Sequence, residues 1–275
     1  MSVNQGIEGV SGNVDPAAML GGLHQSLGNG LGRLLGNRVL GGEVVEVFST
    51  RNGKDVELIQ DGTGQFVRRT YHREAVREIE QADVSFAEAW QGFNAMFEGA
   101  GLNLVPSVLV DADADEPVIV TEYLGDLSGN TVSALPKEAK VTLASNLGKL
   151  LTSSPDFLPS AQGFSPHDAF SIHPQTGELC LVDVDPYMHP RRFPIMGTRY
   201  EKSRAEGVIG AFMKKIGFNI REWAQTDDER TAMARAFVRT SGEALEDDSS
   251  MELIDNFSYV HFMSQGLDPE ILKFR

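Results

Sequence analysis

The feature that most constrains this chain is the stretch from Phe170 to Asp185, in which two short apolar runs flank the turn Pro174-Gln175-Thr176-Gly177. Proline fixes φ and glycine supplies a positive φ, so the segment predicts a β-hairpin. Its second strand carries Leu179, Leu181 and Val182 and then runs into Asp183-Val184-Asp185. A strand that buries its leucines and ends in carboxylates sets those carboxylates at the rim of a core, where hard cations are held. The competing reading is a strand that runs out into a solvated acidic turn, because aspartate favours the surface.

With 275 residues the chain has room for one large domain or two modest ones. Its net charge of −15 argues against general nucleic-acid binding, which needs a basic field. No apolar run approaches the roughly 18 residues of a membrane span. The single cysteine, Cys180, falls inside an apolar strand. It reads as a core thiol in a reducing compartment, so the expected location is cytoplasmic, with export by a non-classical leader left open.

Residues 1–42 read as a flexible leader. They are rich in glycine, yet Leu20, Leu23, Leu27, Leu31, Leu34 and Leu35 recur at near-heptad spacing. Interior glycines weaken a helix by about 1 kcal/mol each, so this segment is expected to order only against another surface, which makes it the candidate contact for a protein partner. From Glu43 the pattern turns to strands: Glu43 to Ser49, Val56 to Gln60 and Gln65 to Tyr71, joined by Arg51-Asn52-Gly53-Lys54 and Asp61-Gly62-Thr63-Gly64.

Between His72 and Ala100 the spacing is helical, and Phe86, Trp90, Phe93 and Phe97 fall on one stripe. Leu104 to Val110 and Pro117 to Gly125 read as two further strands about an acidic tip. Helices are expected over Lys137 to Thr152, Glu201 to Ile216, Thr226 to Leu245 and within Met251 to Gln265. Strands crowd the front and helices the back, as in an α+β protein of two lobes. The small β-rich lobe is placed at residues 43–125 and the larger, mainly helical lobe at 126–275.

That order of elements, with three local strings, resembles the protein-kinase-like fold and its branch of aminoglycoside and small-molecule phosphotransferases. Phe66-Val67-Arg68-Arg69-Thr70-Tyr71 resembles the strand of the phosphate-binding lysine, with Arg69 in that place, and Glu88 lies at a kinase-like separation on the following helix. Val118 to Leu124 resembles the hinge strand whose backbone meets adenine, which puts Glu122 and Tyr123 at the nucleotide. Leu181-Val182-Asp183 resembles the magnesium-binding strand end. The resemblance thus implies ATP and Mg²⁺ as cofactors, with Arg69, Glu88, Glu122 and Tyr123 for nucleotide and Asp183, Asp168 and Asp185 for metal. Phosphoryl transfer is mostly positioning and charge neutralisation, which is why it needs a cation on the phosphates and carboxylates on the metal.

The chain departs from the family at the catalytic loop. Counting back from Asp183 puts Ala169 at the place of the metal-binding asparagine and Phe164 at the place of the base. Asp168 could instead be the base, with His173 in the asparagine's place, or a displaced metal ligand with no base present. The glycine-rich phosphate cover is also missing. These departures favour a pseudokinase-type binding module that recognises a protein partner, with weak or no phosphotransfer. The alternatives are an active ATP- and Mg²⁺-dependent phosphotransferase using Asp168, and a glycosyltransferase using Asp183-Val184-Asp185 as its metal motif.

Overall fold

The computed structural model describes residues 41–49, 53–62, 64–80, 84–110, 114–125, 131–151, 153, 157–159, 169–183, 188–190 and 199–244. The strands are β1 (Glu43–Ser49), β2 (Lys54–Gln60), β3 (Gln65–Tyr71), β4 (Asn103–Leu104), β5 (Ser107–Val110), β6 (Val118–Glu122), β7 (Phe157–Pro159), β8 (Phe170–Ile172), β9 (Leu179–Leu181) and β10 (Met188–Pro190). The helices are α1 (Arg73–Glu80), α2 (Phe86–Gly99), α3 (Lys137–Lys149), α4 (Arg199–Trp223) and α5 (Asp227–Ala244). Leader residues 1–40 and the helix expected within Met251 to Gln265 lie outside the described residues.

A five-stranded antiparallel sheet of order β1-β2-β3-β6-β5 forms the first lobe. The expected meander β1-β2-β3 is present, and β6 joins it by pairing Arg69 with Ile119 and Phe66 with Glu122. Helix α2 lies against this lobe through Tyr71, whose ring is 4.9 Å from that of Phe86. The aromatic stripe is core as expected: Phe86, Trp90, Phe93 and Phe97 are all buried. Trp90 stacks on Phe93, and Phe93 meets Phe97 at 4.6 Å. Such pairs add roughly 1 kcal/mol each beyond the area they bury.

The single helical stretch read from His72 to Ala100 is two helices. Ser85 starts the second by accepting from the Glu88 N–H while the Glu88 carboxylate accepts from the Ser85 N–H, a reciprocal cap. The strand read from Leu104 to Val110 is likewise two, because Pro106 cannot donate to a ladder. The halves serve different sheets. β5 pairs with β6, whereas β4 pairs in parallel with β9, and the Val105 N–H donates to Leu181 O at 2.8 Å. Residues 103–107 therefore tie the first lobe to the second.

The second lobe holds the three-stranded sheet β4-β9-β8 and helices α3, α4 and α5. Phe212, Ile216, Ile220 and Trp223 of α4 are fully buried, and Trp223 meets Phe170 of the hairpin edge-on at 6.2 Å. Helices α3 and α5 pack closely, with the buried Lys140 donating to Glu229 at 3.0 Å. The Gln225 N–H, then Lys140, hold the Glu229 carboxyl below its ordinary range. No helix among the described residues is long and apolar enough to cross a membrane.

At the edge of the first lobe His72 lies 3.2 Å from both Asp55 and Glu116. The Glu116 hydrogen bond, then Asp55, raises its pKa above 6.5 against the opposing effect of desolvation. A raised histidine stabilises the fold fully below the unfolded value and loses that contribution as pH rises through the folded one. Urea midpoints of wild type and His72→Gln should therefore differ at pH 5.5 and converge by pH 9. A difference that stays constant with pH would show that the charge is not involved. The gain is small because the pair is solvent-screened.

Candidate functional site

The sheet alternates its side chains, so Val67, Arg69 and Tyr71 of β3 share one face, and the β2 residues opposite them share it too. Beneath that face, between the lobes, is a cavity of about 340 Å³. Val56, Val67 and Arg69 form its roof, Thr121 to Gly125 its side, Val182 and Asp183 its floor, and Phe48 and Lys54 its outer edge. Phe48 stacks on Tyr123 with ring centroids 6.3 Å apart, so the two aromatics stand together at the strand end of β6. The size suits a nucleoside phosphate.

Arg69 is the chemical centre of this space. It is only 7% exposed. Nη1 donates to Thr121 Oγ1 at 3.0 Å and Nη2 to the Val182 carbonyl at 2.9 Å. Both acceptors are neutral, and among the described residues no carboxylate pairs with this guanidinium. A buried cation held only by dipoles keeps most of its field, and burial without a counter-ion is costly. The link to Val182 also fixes the backbone just ahead of Asp183.

Glu88, placed with Arg69 by its separation along the chain, does not pair with it. Glu88 is committed to the start of α2, where the Ser85 N–H donates at 2.8 Å and the Ser85 hydroxyl at 2.7 Å. Those bonds, the backbone one first, hold its carboxyl below the ordinary glutamate range. Ser85-Phe86-Ala87-Glu88 is the local capping pattern, and it claims the carboxylate before any distant arginine can.

Glu122 and Tyr123 line the cavity. The Glu122 carboxylate, however, turns toward the hairpin: Oε2 lies 3.4 Å from His173 Nε2 but has no hydrogen-bond partner among the described residues. His173 accepts from the Gln175 and Thr176 N–H groups at Nδ1, 3.2 and 3.3 Å away. With Nδ1 an acceptor, the ring proton belongs on Nε2, which faces Glu122. That arrangement also corrects the reading that put His173 in the place of the metal-binding asparagine. The ladder pairs Phe170 with Leu181, and the Val182 N–H donates to Ala169 O at 2.7 Å. Ala169, not His173, is therefore across from the residue that precedes Asp183.

Asp183 stands on the cavity floor. Asp168 and Asp185 lie outside the described residues. Among the described residues no group of three or more His, Cys, Asp or Glu could hold an ion unaided. Cys180, on the strand behind, offers no chemistry: burial, then Glu178 and Glu122, pushes its thiol up to about 11.

Sequence pattern could not show Thr121 or the Val182 carbonyl as holders of Arg69, since one is an ordinary strand residue and the other a backbone atom. Lys54 was also missed, although it sits two residues from Val56 and so on the same face.

The glycosyltransferase reading expects an alternating nucleotide-binding half with a parallel sheet. The five-stranded sheet is antiparallel throughout, so the fold does not support it.

No family model matches the chain, and no curated protein matches it. Among solved structures it is similar to WaaP in complex with acyl carrier protein, at 13% identity and a TM-score of 0.48, over 86% of this chain and 98% of that one. It is similar to the PknI kinase domain of Mycobacterium tuberculosis at 14% identity and a TM-score of 0.42, over 79% and 95%. It is also similar to Rad53 1-466 in complex with AMP-PNP, at 14% identity and 0.38, over 83% and 61%. By its own strand order, and by the cleft that opens between hinge strand and acid-ended hairpin, the chain has a two-lobed protein-kinase-like fold.

Proposed function

We propose that this protein is a nucleotide-binding, pseudokinase-type module: its cleft takes a nucleoside triphosphate with Mg²⁺, and its output is recognition of a protein partner rather than efficient phosphotransfer. The observation that carries the nucleotide half is Arg69, a buried guanidinium that lines a 340 Å³ cavity, is held by two neutral acceptors, and has Asp183 below it. An anion is the counter-charge such a group lacks. Mg²⁺, when bound through Asp183, would neutralise phosphate charge.

Ala169 favours the binding module over the enzyme. An alanine methyl cannot ligate a metal, and the hairpin register holds that residue beside the strand end that carries Asp183. Partner recognition is supported by the edge strand β1, where Val44, Val45, Val47 and Phe48 are exposed directly after the leucine-bearing residues 1–42. The second reading, an active phosphotransferase, is favoured by Asp168, the chain neighbour of Ala169.

Asp183→Asn separates the metal from the nucleotide. Binding of ATP followed by calorimetry with and without Mg²⁺ should lose its metal-dependent increment in the variant, while the unfolding temperature of the free protein stays within a degree or two. Equal Mg²⁺ dependence in variant and wild type would remove Asp183 from the metal site. Phosphotransfer that is measurable in wild type and absent in Asp168→Ala, with nucleotide still bound, would replace the module with the enzyme.

A further inference from the structure

Kinase-like clefts cover their phosphates with backbone N–H groups from a glycine-rich turn between the first two strands. Here the β1–β2 turn carries one glycine, Gly53, in the sequence Thr50-Arg51-Asn52-Gly53. That glycine has another task. Its φ is +68°, a Cβ on it would lie 2.9 Å from the Ala75 Cβ, and its carbonyl accepts from the His72 N–H at 2.7 Å. The end of the turn is thereby fastened to the start of α1.

Lys54 follows this fastened point immediately and lines the cavity. The β2–β3 register sets Val56 across from Arg69 and Lys54 across from Tyr71, so Lys54 and Arg69 are diagonal neighbours on the same sheet face. Diagonal neighbours stand about 7–8 Å apart at their backbones, a separation that two cationic side chains can close around one polyphosphate. Moving outward from the hinge, the cavity roof thus runs Val67, Arg69, Lys54: an apolar surface for a base, then two positive charges.

We propose that Lys54 is a second phosphate anchor, so that this cleft grips the distal phosphates of a nucleoside triphosphate by side-chain cations from β2 and β3, in place of a glycine-rich backbone cover. This rests on the nucleotide reading of the cleft and adds to it a requirement for a polyphosphate tail. A Lys ammonium acts as a point charge on any phosphate oxygen within reach, whereas Arg69 is already fixed in direction by Thr121 and Val182.

The experiment is calorimetric titration of the full chain, as wild type, Lys54→Met and Lys54→Arg, with adenosine, ADP and ATP and with guanosine, GDP and GTP, all with Mg²⁺. Wild type is expected to bind more tightly as phosphates are added. Lys54→Met should leave nucleoside affinity unchanged and weaken the triphosphate by roughly ten- to hundredfold, the range for a hydrogen bond to a charged group; Lys54→Arg should recover most of it. A Lys54→Met protein that binds triphosphate as wild type does, or that loses nucleoside and triphosphate affinity alike, overturns the role of Lys54 while the nucleotide reading stands. A wild type that binds none of the six ligands overturns both. Unchanged unfolding of the variants confirms that the comparison is between folded proteins.

Discussion

Arg69→Ala should reduce the affinity for nucleoside triphosphate by at least about a hundredfold, the scale at which truncating one member of a buried, hydrogen-bonded charge pair is felt. The reason lies in what the guanidinium touches. Its two protein acceptors are the Thr121 hydroxyl and the Val182 carbonyl, so the arginine orients the site without being neutralised by it. An anion entering the cavity gains a desolvated positive charge whose position has already been fixed, and little further ordering is needed. Arg69→Lys should fall between the two, since an ammonium retains charge but cannot present a planar fork to Thr121, Val182 and a phosphate together. Thermal shift measures both halves of this expectation: the rise produced by saturating ATP should vanish in Arg69→Ala, because only a ligand bound to the folded state raises apparent stability. A full ligand-induced rise in that variant would move the anion site elsewhere.

Gly148→Ala should be strongly destabilising, against the ordinary trend. Exchanging glycine for alanine inside a helix gains about 1 kcal/mol of propensity. In α3, however, the added Cβ would collide with Thr240 Oγ1 and lie 2.6 Å from the Phe237 carbonyl and 3.1 Å from the Ser241 N–H. The hydroxyl is itself held, its one proton shared between Ser145 O on α3 and Ala236 O on α5, each 2.9 Å away. Relief therefore requires the two helices to separate, which opens the packing around Leu147 and Phe237, both fully buried. Overpacking of this kind costs about 1–3 kcal/mol, and contact with backbone atoms puts this site at the upper end. Urea unfolding of Gly148→Ala against Gly62→Ala, where a Cβ would meet nothing within 4 Å, should show a large loss in the first and almost none in the second.

Much of the fold was legible because its signals are local. Asn52-Gly53 and Asp61-Gly62-Thr63-Gly64 mark the turns of the meander, and the stripe of Phe86, Trp90, Phe93 and Phe97 marks the buried face of α2. The hairpin from Phe170 to Leu181 was equally plain. Where periodicity was read across a break, it misled: apolar residues run through Leu104 to Val110, and only Pro106 betrays that β4 leaves for the second sheet.

The site was legible in part, because spacing along the chain does not say what a side chain touches. Glu88 has the separation from Arg69 that an ion pair would use, yet Ser85 is nearer and supplies both bonds. Asp183, Glu122, Tyr123 and Arg69 line one cavity. The partners that orient them, Thr121, the Val182 carbonyl and His173, come from pairing registers that only the folded chain sets. The β2 cation, Lys54, was within reach of a stricter use of strand alternation from Val56.

The most direct test of the account is a calorimetric titration of the wild-type chain with ATP and with GTP in the presence of Mg²⁺, repeated on Arg69→Ala. The wild type should bind at least one of the two nucleotides saturably at one site, and the variant should give no measurable heat under the same conditions. Absence of binding by the wild type, or binding that survives the loss of Arg69 undiminished, would contradict it.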